Sequence, residues 1–344
     1  MSDTLLSRYA ECIFWLARYV ERAENLARIL DVNETFARDR SGEHNWLPIV
    51  QLNADETRFF ARHQTATSQA VLQFYVTDAD NPTSIVSAVK GARENARTLR
   101  PLISTEMWVH LNKFHSRMTT LRMETFGPGQ LTGLFSEIKE ACQTHVGITE
   151  GTFYRDQGWY FSQIGRYLER ADQTTRLLDI KYHSLLPSVS DVGSPIDASQ
   201  WNALLRSAAG YHAFLRMHSS GLTPGKVAGF LLLNRRFPRS VYLCIRQVET
   251  LLTELKSRYM LRGGSRAAET LDSLRAVMGS RSIQSILAQG LHEFLDGTQR
   301  HLISVTNEIA SDFFSQLPET AEMDEPVPVR TVGGAQSQVQ VLGR

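Results

Sequence analysis

One pattern of charged and apolar residues occurs twice in this chain. Residues 15–32 read WLARYVERAENLARILDV, residues 163–180 read QIGRYLERADQTTRLLDI, and the two segments align without a gap. Apolar positions interchange, as at Val20/Leu168, which is what packing in a core allows. The identical pairs are Arg18/Arg166, Tyr19/Tyr167, Glu21/Glu169, Arg22/Arg170, Ala23/Ala171, Arg28/Arg176, Leu30/Leu178 and Asp31/Asp179. Because exposed ion pairs add little stability, charges on a solvated face would be free to differ between the two copies. The pattern therefore predicts two long helices built on one template, with their charged residues held together.

The residues around the first copy are spaced at the period of a helix. At 100° per residue, residues 4–38 place Trp15 and Tyr19 on one side and Arg18 and Glu21 on the other. Further helices are predicted at residues 47–76, 82–103, 104–125, 130–154, 158–186, 197–219, 223–234, 237–261, 265–278 and 281–316. No segment of comparable length alternates with the period of a strand.

The same reading defines the architecture. Residues 188–195 form the clearest internal loop, and after residue 317 the chain turns polar with no apolar helical face. The sequence therefore predicts an all-α fold, a large multi-helix bundle with an internal repeat of a long helix rich in Arg and Glu. A single domain over residues 1–317 is followed by a disordered polar tail over residues 318–344.

Charge and cysteine usage limit the partners and the compartment. The chain has 37 Lys and Arg against 36 Asp and Glu, and this balance argues against bulk attraction to nucleic acid or to an anionic membrane. No apolar run is long enough to span a bilayer, and the first residues do not form a signal peptide. Cys12, Cys142 and Cys244 lie far apart, in no CxxC pair, which indicates free thiols. We expect a cytoplasmic protein with no nucleic-acid or membrane partner.

The repeated charges have two interpretations. Glu24 and Arg28 have the i,i+4 spacing of an ion pair on one exposed helix face. Alternatively, the two charged faces converge in an interior or a cleft, where guanidinium–carboxylate pairs set geometry or bind a polar ligand. We favour the second interpretation and expect the helices at 1–40 and 158–186 to pack with these faces together.

Other charged residues extend the set of candidates. Arg93, Glu94 and Arg97 lie at helical spacing and are predicted to join the same network, with Asn95 as an adaptable amide. Arg155 and Arg239 are isolated candidates. The full set of candidate binding or motif residues is Arg18, Tyr19, Glu21, Arg22, Glu24, Arg28, Arg93, Glu94, Asn95, Arg97, Arg155, Arg166, Tyr167, Glu169, Arg170, Asp172, Arg176 and Arg239.

These motifs, over residues 5–315, resemble the bacterial Alpha-E family, an α-helical domain with a Glu-Arg motif. The segments that carry the resemblance are Leu6–Arg8, Phe14–Glu24, Ala92–Arg97, Phe153–Arg155, Gly165–Ala171 and Pro238–Ser240. In that family the domain is typically encoded beside, or fused to, a circularly permuted ATP-grasp protein and a transglutaminase-like cysteine peptidase. The resemblance implies these two proteins as partners and a role in ATP-dependent peptide or amide-bond synthesis or modification. It assigns no catalytic residue.

A search for familiar catalytic motifs finds none. The sequence has no Glu-x-x-His pair of a di-iron bundle, no His-Glu-x-x-His zinc motif, no Gly-x-Ser-x-Gly elbow and no phosphate-binding Gly-Lys loop. We therefore expect no metal and no cofactor in this chain. Two functions stay open: an accessory or substrate- or partner-binding subunit, and an enzyme of amide or peptide-bond chemistry. In the second, Glu21 and Glu169 are the acid/base candidates and the repeated arginines stabilise an anion. A closed, fully paired cluster favours the first function, and a solvent-reachable one with unpaired arginines favours the second.

Overall fold

The described chain is helical, as the sequence predicts. A computed structural model describes residues 5–39, 46–127, 129–184, 195–219 and 221–314, and no strand occurs in these ranges. The predicted tail over 318–344 lies outside the described residues, as does the predicted loop up to residue 194. None of the helices in the described ranges combines the length and the apolar character that a membrane crossing requires.

Fifteen α-helices are found in the described ranges. Their bounds are α1 (Ser7–Asp39), α2 (Leu47–Leu52), α3 (Glu56–Phe60), α4 (Ser68–Val76), α5 (Ile85–Thr98), α6 (Thr105–Thr120), α7 (Leu131–Thr152), α8 (Gln157–Ser184), α9 (Pro195–Ser207), α10 (Tyr211–Met217), α11 (Pro224–Leu233), α12 (Val241–Tyr259), α13 (Ser265–Ser280), α14 (Ile283–Gln289) and α15 (Leu291–Ile309). A 3-10 turn (Met123–Thr125) precedes α7, and a π-helical turn (Ala310–Phe314) follows α15.

Three of the predicted helices are divided, and the prediction of single helices there was wrong. The prediction at 47–76 is replaced by α2, α3 and α4, that at 197–219 by α9 and α10, and that at 281–316 by α14 and α15. Three of the breaks fall at left-handed residues: Ala54 has φ +52°, Ala209 has φ +55° and Gly290 has φ +108°. A positive φ ends the helical hydrogen-bond ladder. Apolar periodicity continues across such a break because both short helices still face the core.

Serine and threonine caps decide where several helices begin. Ser84, rather than Pro82, precedes α5, and its hydroxyl accepts a hydrogen bond from the Ser87 amide at 3.2 Å. Ser240 caps α12 in the same way, three residues after the predicted start at 237. A side-chain oxygen at this position satisfies one of the amides that a helix N-terminus leaves without an intrahelical partner.

The two long helices α1 and α8 lie side by side and run in the same direction. Near their N-termini the Leu5 amide donates to Gln157 Oε1, 152 residues away. Further along, ion pairs join residues 147 to 151 apart in sequence. A nearly constant separation is a property of parallel helices. The backbones approach closely at Gly165, where an added Cβ would lie 2.4 Å from the Phe14 carbonyl oxygen.

Each long helix belongs to a ring of four. In one ring α1 packs on α5, α5 on α6, α6 on α7, and α7 back on α1. In the other, α8, α12, α13 and α15 pack in the same cyclic order. The α1–α8 contact joins the rings, so these two helices lie at the centre of the described bundle. The origin of the two copies by internal repetition stays a prediction.

Both the apolar and the charged side of α1 are buried, which agrees with the interpretation in which the charged faces of the two long helices converge. Val20 and Ala23 are 3% and 0% exposed, and Glu21 and Glu24 are 1% and 2% exposed. The reason is the position of α1: α5 and α7 cover one side and α8 covers another. The charged stripe of α1 therefore faces α8 rather than solvent.

Candidate functional site

Glu169 on α8 is fully buried and is bound by two arginines of α1. Arg22 forms a bidentate pair, with Nε 2.7 Å from Oε1 and Nη2 3.0 Å from Oε2. Arg18 Nε donates to Oε2 at 2.8 Å, and Gln173 donates to Oε1 at 3.2 Å. Both oxygens of this carboxylate are therefore occupied by side chains of the protein.

Glu21 on α1 has the reciprocal arrangement. Arg170 of α8 binds it through Nε at 2.8 Å and Nη2 at 2.7 Å, and Asn25 donates at 3.0 Å. Glu21 and Arg170 occupy the positions that align with Glu169 and Arg22 in the repeated sequence pattern. The two helices thus exchange arginines, and each carboxylate is neutralised by the other helix.

Arg239, which the sequence leaves isolated, enters this arrangement from the segment before α12. Its Nη1 donates to Glu21 at 2.8 Å and to Asn25 Oδ1 at 2.9 Å, and its Nη2 donates to Glu24 at 2.7 Å. Its own carbonyl accepts a hydrogen bond from Thr174 on α8. Arg239 therefore fastens α12 to both central helices. We call the following residues the ion-pair core: Arg18, Glu21, Arg22, Glu24, Glu169, Arg170 and Arg239.

Arg28 and Arg176 extend the core at one end. Each pairs with the carboxylate four residues earlier, Glu24 at 2.7 Å and Asp172 at 2.8 Å. Each also reaches the carbonyl of the last residue of a short helix, Ser207 of α9 for Arg28 at 3.5 Å and that of α2 for Arg176 at 3.1 Å. A cation at a helix C-terminus is favourable because the last carbonyls carry partial negative charge. These arginines position the short helices that cover the core.

The correspondence between the ion pairs of α1 and α8 does not extend to Arg166, which aligns with Arg18 in the repeated pattern. Arg18 Nη1 donates to Thr306 of α15 at 2.9 Å, whereas Arg166 bonds Gln163 and lies 3.5 Å from Glu150. Arg166 Nε has no hydrogen-bond partner among the described residues, and neither does Nδ1 of the buried His145. The two side chains line a cavity of about 20 Å³ that also touches Glu21. This volume admits a single water molecule and no substrate.

Two tyrosines of the motif shield the arginines. The Arg22 guanidinium lies 5.7 Å from the Tyr19 ring centre, and Arg170 lies 5.7 Å from that of Tyr167. A cation over an aromatic face is favoured by the ring quadrupole. Both tyrosines therefore act as walls that hold the guanidinium groups, and neither hydroxyl takes part in the ion-pair core.

Burial and charge act in opposite directions on the two glutamates. Burial alone raises a carboxyl pKa, but at Glu169 the charges and hydrogen bonds of Arg22 and Arg18 outweigh it and lower the pKa to about 2. At Glu21 burial is likewise outweighed, by Arg170 and Arg239, and the pKa lies well below its ordinary value. Both carboxylates therefore stay ionised at neutral pH.

The charged cluster of α5 is separate from the ion-pair core, which corrects the expectation that it joins. Arg93 Nε donates to Asn112 on α6 at 2.8 Å and pairs with Glu94, and Glu94 also pairs with Arg97 at 2.8 Å. Asn95 lies half-buried on the same helix. The reason is orientation: α5 turns its buried alanines and valines toward the bundle, so its charges lie at the periphery.

Arg155 is also remote from the core. Its side chain is 67% exposed, lies 3.7 Å from Glu150 and covers the ring of Trp159 at 5.1 Å. It sits in the segment between α7 and α8, where the chain turns at the surface. Of the isolated arginines of the sequence, only Arg239 reaches the core.

Sequence reasoning missed the neutral partners of the core. Asn25, Gln173, Thr174 and Thr306 supply the hydrogen bonds described above, and Gln143 of α7 donates to Glu24 at 3.3 Å. Asn25 and Gln173 lie four residues after Glu21 and Glu169, one helical turn away, and this spacing could have identified them. Thr306 and Gln143 lie on other helices and leave no local signal.

Two further observations concern possible metal ligands and the cysteines. In the described ranges, no three His, Cys, Asp or Glu side chains cluster in a way that could hold a metal ion. Cys142 and Cys244 are fully buried, and burial raises the pKa of both thiols, to about 12 for Cys244.

Comparisons with known proteins agree with the fold. The family model of Alpha-E, described as a predicted alpha-helical domain with a conserved ER motif, matches residues 5–314. An uncharacterised protein of Mycobacterium bovis and one of Mycobacterium tuberculosis are each 22% identical over 327 residues, which is 87% of this chain. The aligned part is 36% of each relative, so the chain spans about a third of the length of these curated relatives. No solved structure matches.

Proposed function

This chain belongs to the Alpha-E family, and we propose that it is a non-catalytic accessory subunit of a bacterial ATP-grasp-dependent system of peptide or amide-bond synthesis or modification. Its role is to bind the substrate or a partner. The proposed partners are the ATP-grasp protein and the transglutaminase-like protein that the family resemblance implies, and the proposed compartment is the cytoplasm. The observation that carries the non-catalytic part is the closure of the ion-pair core: Glu21 and Glu169 are buried, and arginines bind both oxygens of each.

The state of these carboxylates argues against the enzyme alternative. A general acid or base needs a pKa near the working pH and must reach the substrate. The pKa values of Glu21 and Glu169 are lowered by their arginines, and the adjoining cavity admits only one water. An architectural role of the motif accounts for its paired charges and requires no catalysed reaction.

The length of the relatives supports a role beside other polypeptide. In the mycobacterial proteins the matching region is about a third of a longer chain. A helical unit joined to further sequence is suited to hold a neighbouring domain or to present a ligand to it. An accessory subunit performs the same role as a separate polypeptide chain.

The test is a reconstitution with the ATP-grasp protein from the same organism. ADP release and amide formation are measured for each purified protein alone and for the mixture, and complex formation is measured by size-exclusion chromatography. We expect no product from this chain alone, co-elution of the two proteins, and faster product formation in the mixture. Product from this chain alone, or a mixture that neither co-elutes nor differs from the ligase alone, contradicts the proposal.

A variant separates a structural role of the core from a catalytic one. Glu169→Gln is assayed well below its melting temperature, where the variant is folded, beside Glu137→Gln, which alters an exposed pair with Arg117. An architectural core predicts that both variants stimulate the partner as the wild type does. A folded Glu169→Gln protein without this effect would favour the enzyme alternative.

A further inference from the structure

A second concave site lies at the end of the ion-pair core. It is a cleft of about 430 Å³ bounded by α1, by Lys139 of α7 and by the turn between α9 and α10. We call it the α1/α9 cleft, and the residues that matter in it are Arg28, Lys139, Arg206, Ser207, Tyr211 and His212. Its volume is in the range of small-molecule sites, unlike the one-water cavity beside Glu21.

Arg206 provides an exposed cation at this cleft. In the described part of the chain no carboxylate lies within salt-bridge distance of its guanidinium, and it stacks on Tyr211 at 4.4 Å from the ring centre. Stacking holds the guanidinium plane while its in-plane N–H groups stay available. A planar fork of this kind matches a carboxylate through two parallel hydrogen bonds.

Ser207 supplies a second, independent indication. The residue is 3% exposed, it lines the cleft, and its hydroxyl has no hydrogen-bond partner among the described residues. A buried hydroxyl without a partner is costly, and a serine in a helix would ordinarily bond the preceding turn. Ser207 directly follows Arg206 in α9, so its hydroxyl is an unused hydrogen-bonding group in the wall beside the arginine.

The charge that the lining offers to an anion is that of Arg206. Lys139, also in the lining, is already paired with Asp31 at 2.7 Å. Arg28 also pairs with Glu24 of the ion-pair core and donates to the Ser207 carbonyl. The core therefore fixes the wall that carries the serine, and the ligand site is built on the rigid centre of the bundle.

From these observations we propose that the α1/α9 cleft binds the free carboxylate of a small ligand, held by Arg206 and Ser207. The assignment of this ligand as the C-terminus of a peptide rests on the proposed function; recognition of the carboxylate does not. The tyrosine ring beside Arg206 gives an apolar wall for the part of the ligand next to its carboxylate.

The test is a titration of the full chain, without any partner, followed by NMR of the arginine Nε–H groups. The probes are N-acetylalanine, its neutral isostere N-acetylalaninamide, and inorganic phosphate. Arg206→Gln identifies the Arg206 signal, and Arg216→Gln, on the exposed side of α10 and outside the cleft lining, is the matched control. We expect N-acetylalanine to bind, with the amide and Arg206→Gln each weakening binding by about tenfold or more, and Arg216→Gln leaving it unchanged.

Three results overturn the proposal: no shift of the Arg206 signal with N-acetylalanine, equal binding of the amide, or equal binding of phosphate, which would mark a general oxyanion site.

Ser207→Ala gives a separate check. We expect it to weaken N-acetylalanine binding while raising the melting temperature of the ligand-free protein, because it removes an unpaired hydroxyl. Unchanged binding by Ser207→Ala would remove the serine from the site. Since no partner is present, a negative result here leaves the accessory function to its own test.

Discussion

Replacing Glu169 by glutamine tests the ion-pair core most directly. The substitution keeps the shape of the side chain, removes its charge and puts an amide NH₂ group where one carboxylate oxygen accepts hydrogen bonds. Arg18 and Arg22, whose side chains are 11% and 25% exposed, then lose the carboxylate that they bind directly. We expect a large loss of stability, because an orphaned buried charge cannot be re-solvated without opening the α1–α8 contact.

The magnitude follows from the burial of the pair. Glu169 is fully buried and accepts three charge-assisted hydrogen bonds at 2.7–3.0 Å. Removing one partner of such a pair costs about 3–5 kcal/mol. With an unfolding entropy of about 2.1 cal/mol/K per residue over roughly 300 residues, this corresponds to about 5–8 °C in melting temperature.

Urea unfolding followed by circular dichroism measures the effect, and the chain offers a matched control. Arg117 and Glu137 also form a bidentate pair, at 2.6 and 2.9 Å, but their side chains are 48% and 47% exposed. Glu137→Gln should cost less than about 1 kcal/mol. Adding Arg22→Met to Glu169→Gln should recover part of the loss, because one orphaned charge is then removed. If Glu169→Gln costs no more than Glu137→Gln, burial is not what makes the core important and the reasoning is wrong.

Three further predictions concern packing, pH and thiol reactivity. Gly165→Ala should destabilise the protein by about 1–3 kcal/mol or more, because the new Cβ would strike the Phe14 carbonyl. Gly147→Ala, with open space around it, should stabilise the protein by about 0.5–1 kcal/mol. Burial lowers the pKa of His145 to about 3, so between about pH 6.5 and 3 the unfolded chain binds one more proton at this residue than the native protein does. This difference lowers the stability by about 1.4 kcal/mol for each unit by which the pH falls, and His145→Leu should reduce the pH slope by that amount. Of the three thiols, only the half-buried Cys12 should react with an alkylating reagent in the native protein.

Each of these three predictions has an outcome that would contradict it. Equal stabilities of the two glycine variants would show that α8 can move away from α1 without cost. A His145→Leu protein with the wild-type pH slope would place the titrating group elsewhere. Labelling of all three cysteines is expected only in urea, so equal labelling of Cys142 in the native protein would show that α7 opens readily.

Local pattern determined much of this fold. The 3.6-residue period identified the helical class and the long helices α1 and α8, because a helix forms from contacts within a few residues. The repeated charges also predicted that these two helices pack together, since charges on a solvated face would be free to differ between the two copies. The structure joins them through Arg170 and Arg22 as expected.

Only the tertiary structure decided the other contacts of the ion-pair core and the position of the cleft, because these depend on residues far apart in sequence. Arg239 reaches Glu21 across 218 residues, and Arg18 reaches Thr306 across 288. No helical period encodes such contacts. The α1/α9 cleft has the same origin: it exists only where Arg206 of α9 comes to lie beside α1 and α7. Sequence periodicity fixes which face of a helix is buried, but the partners of a buried charge are chosen by how the helices pack around it.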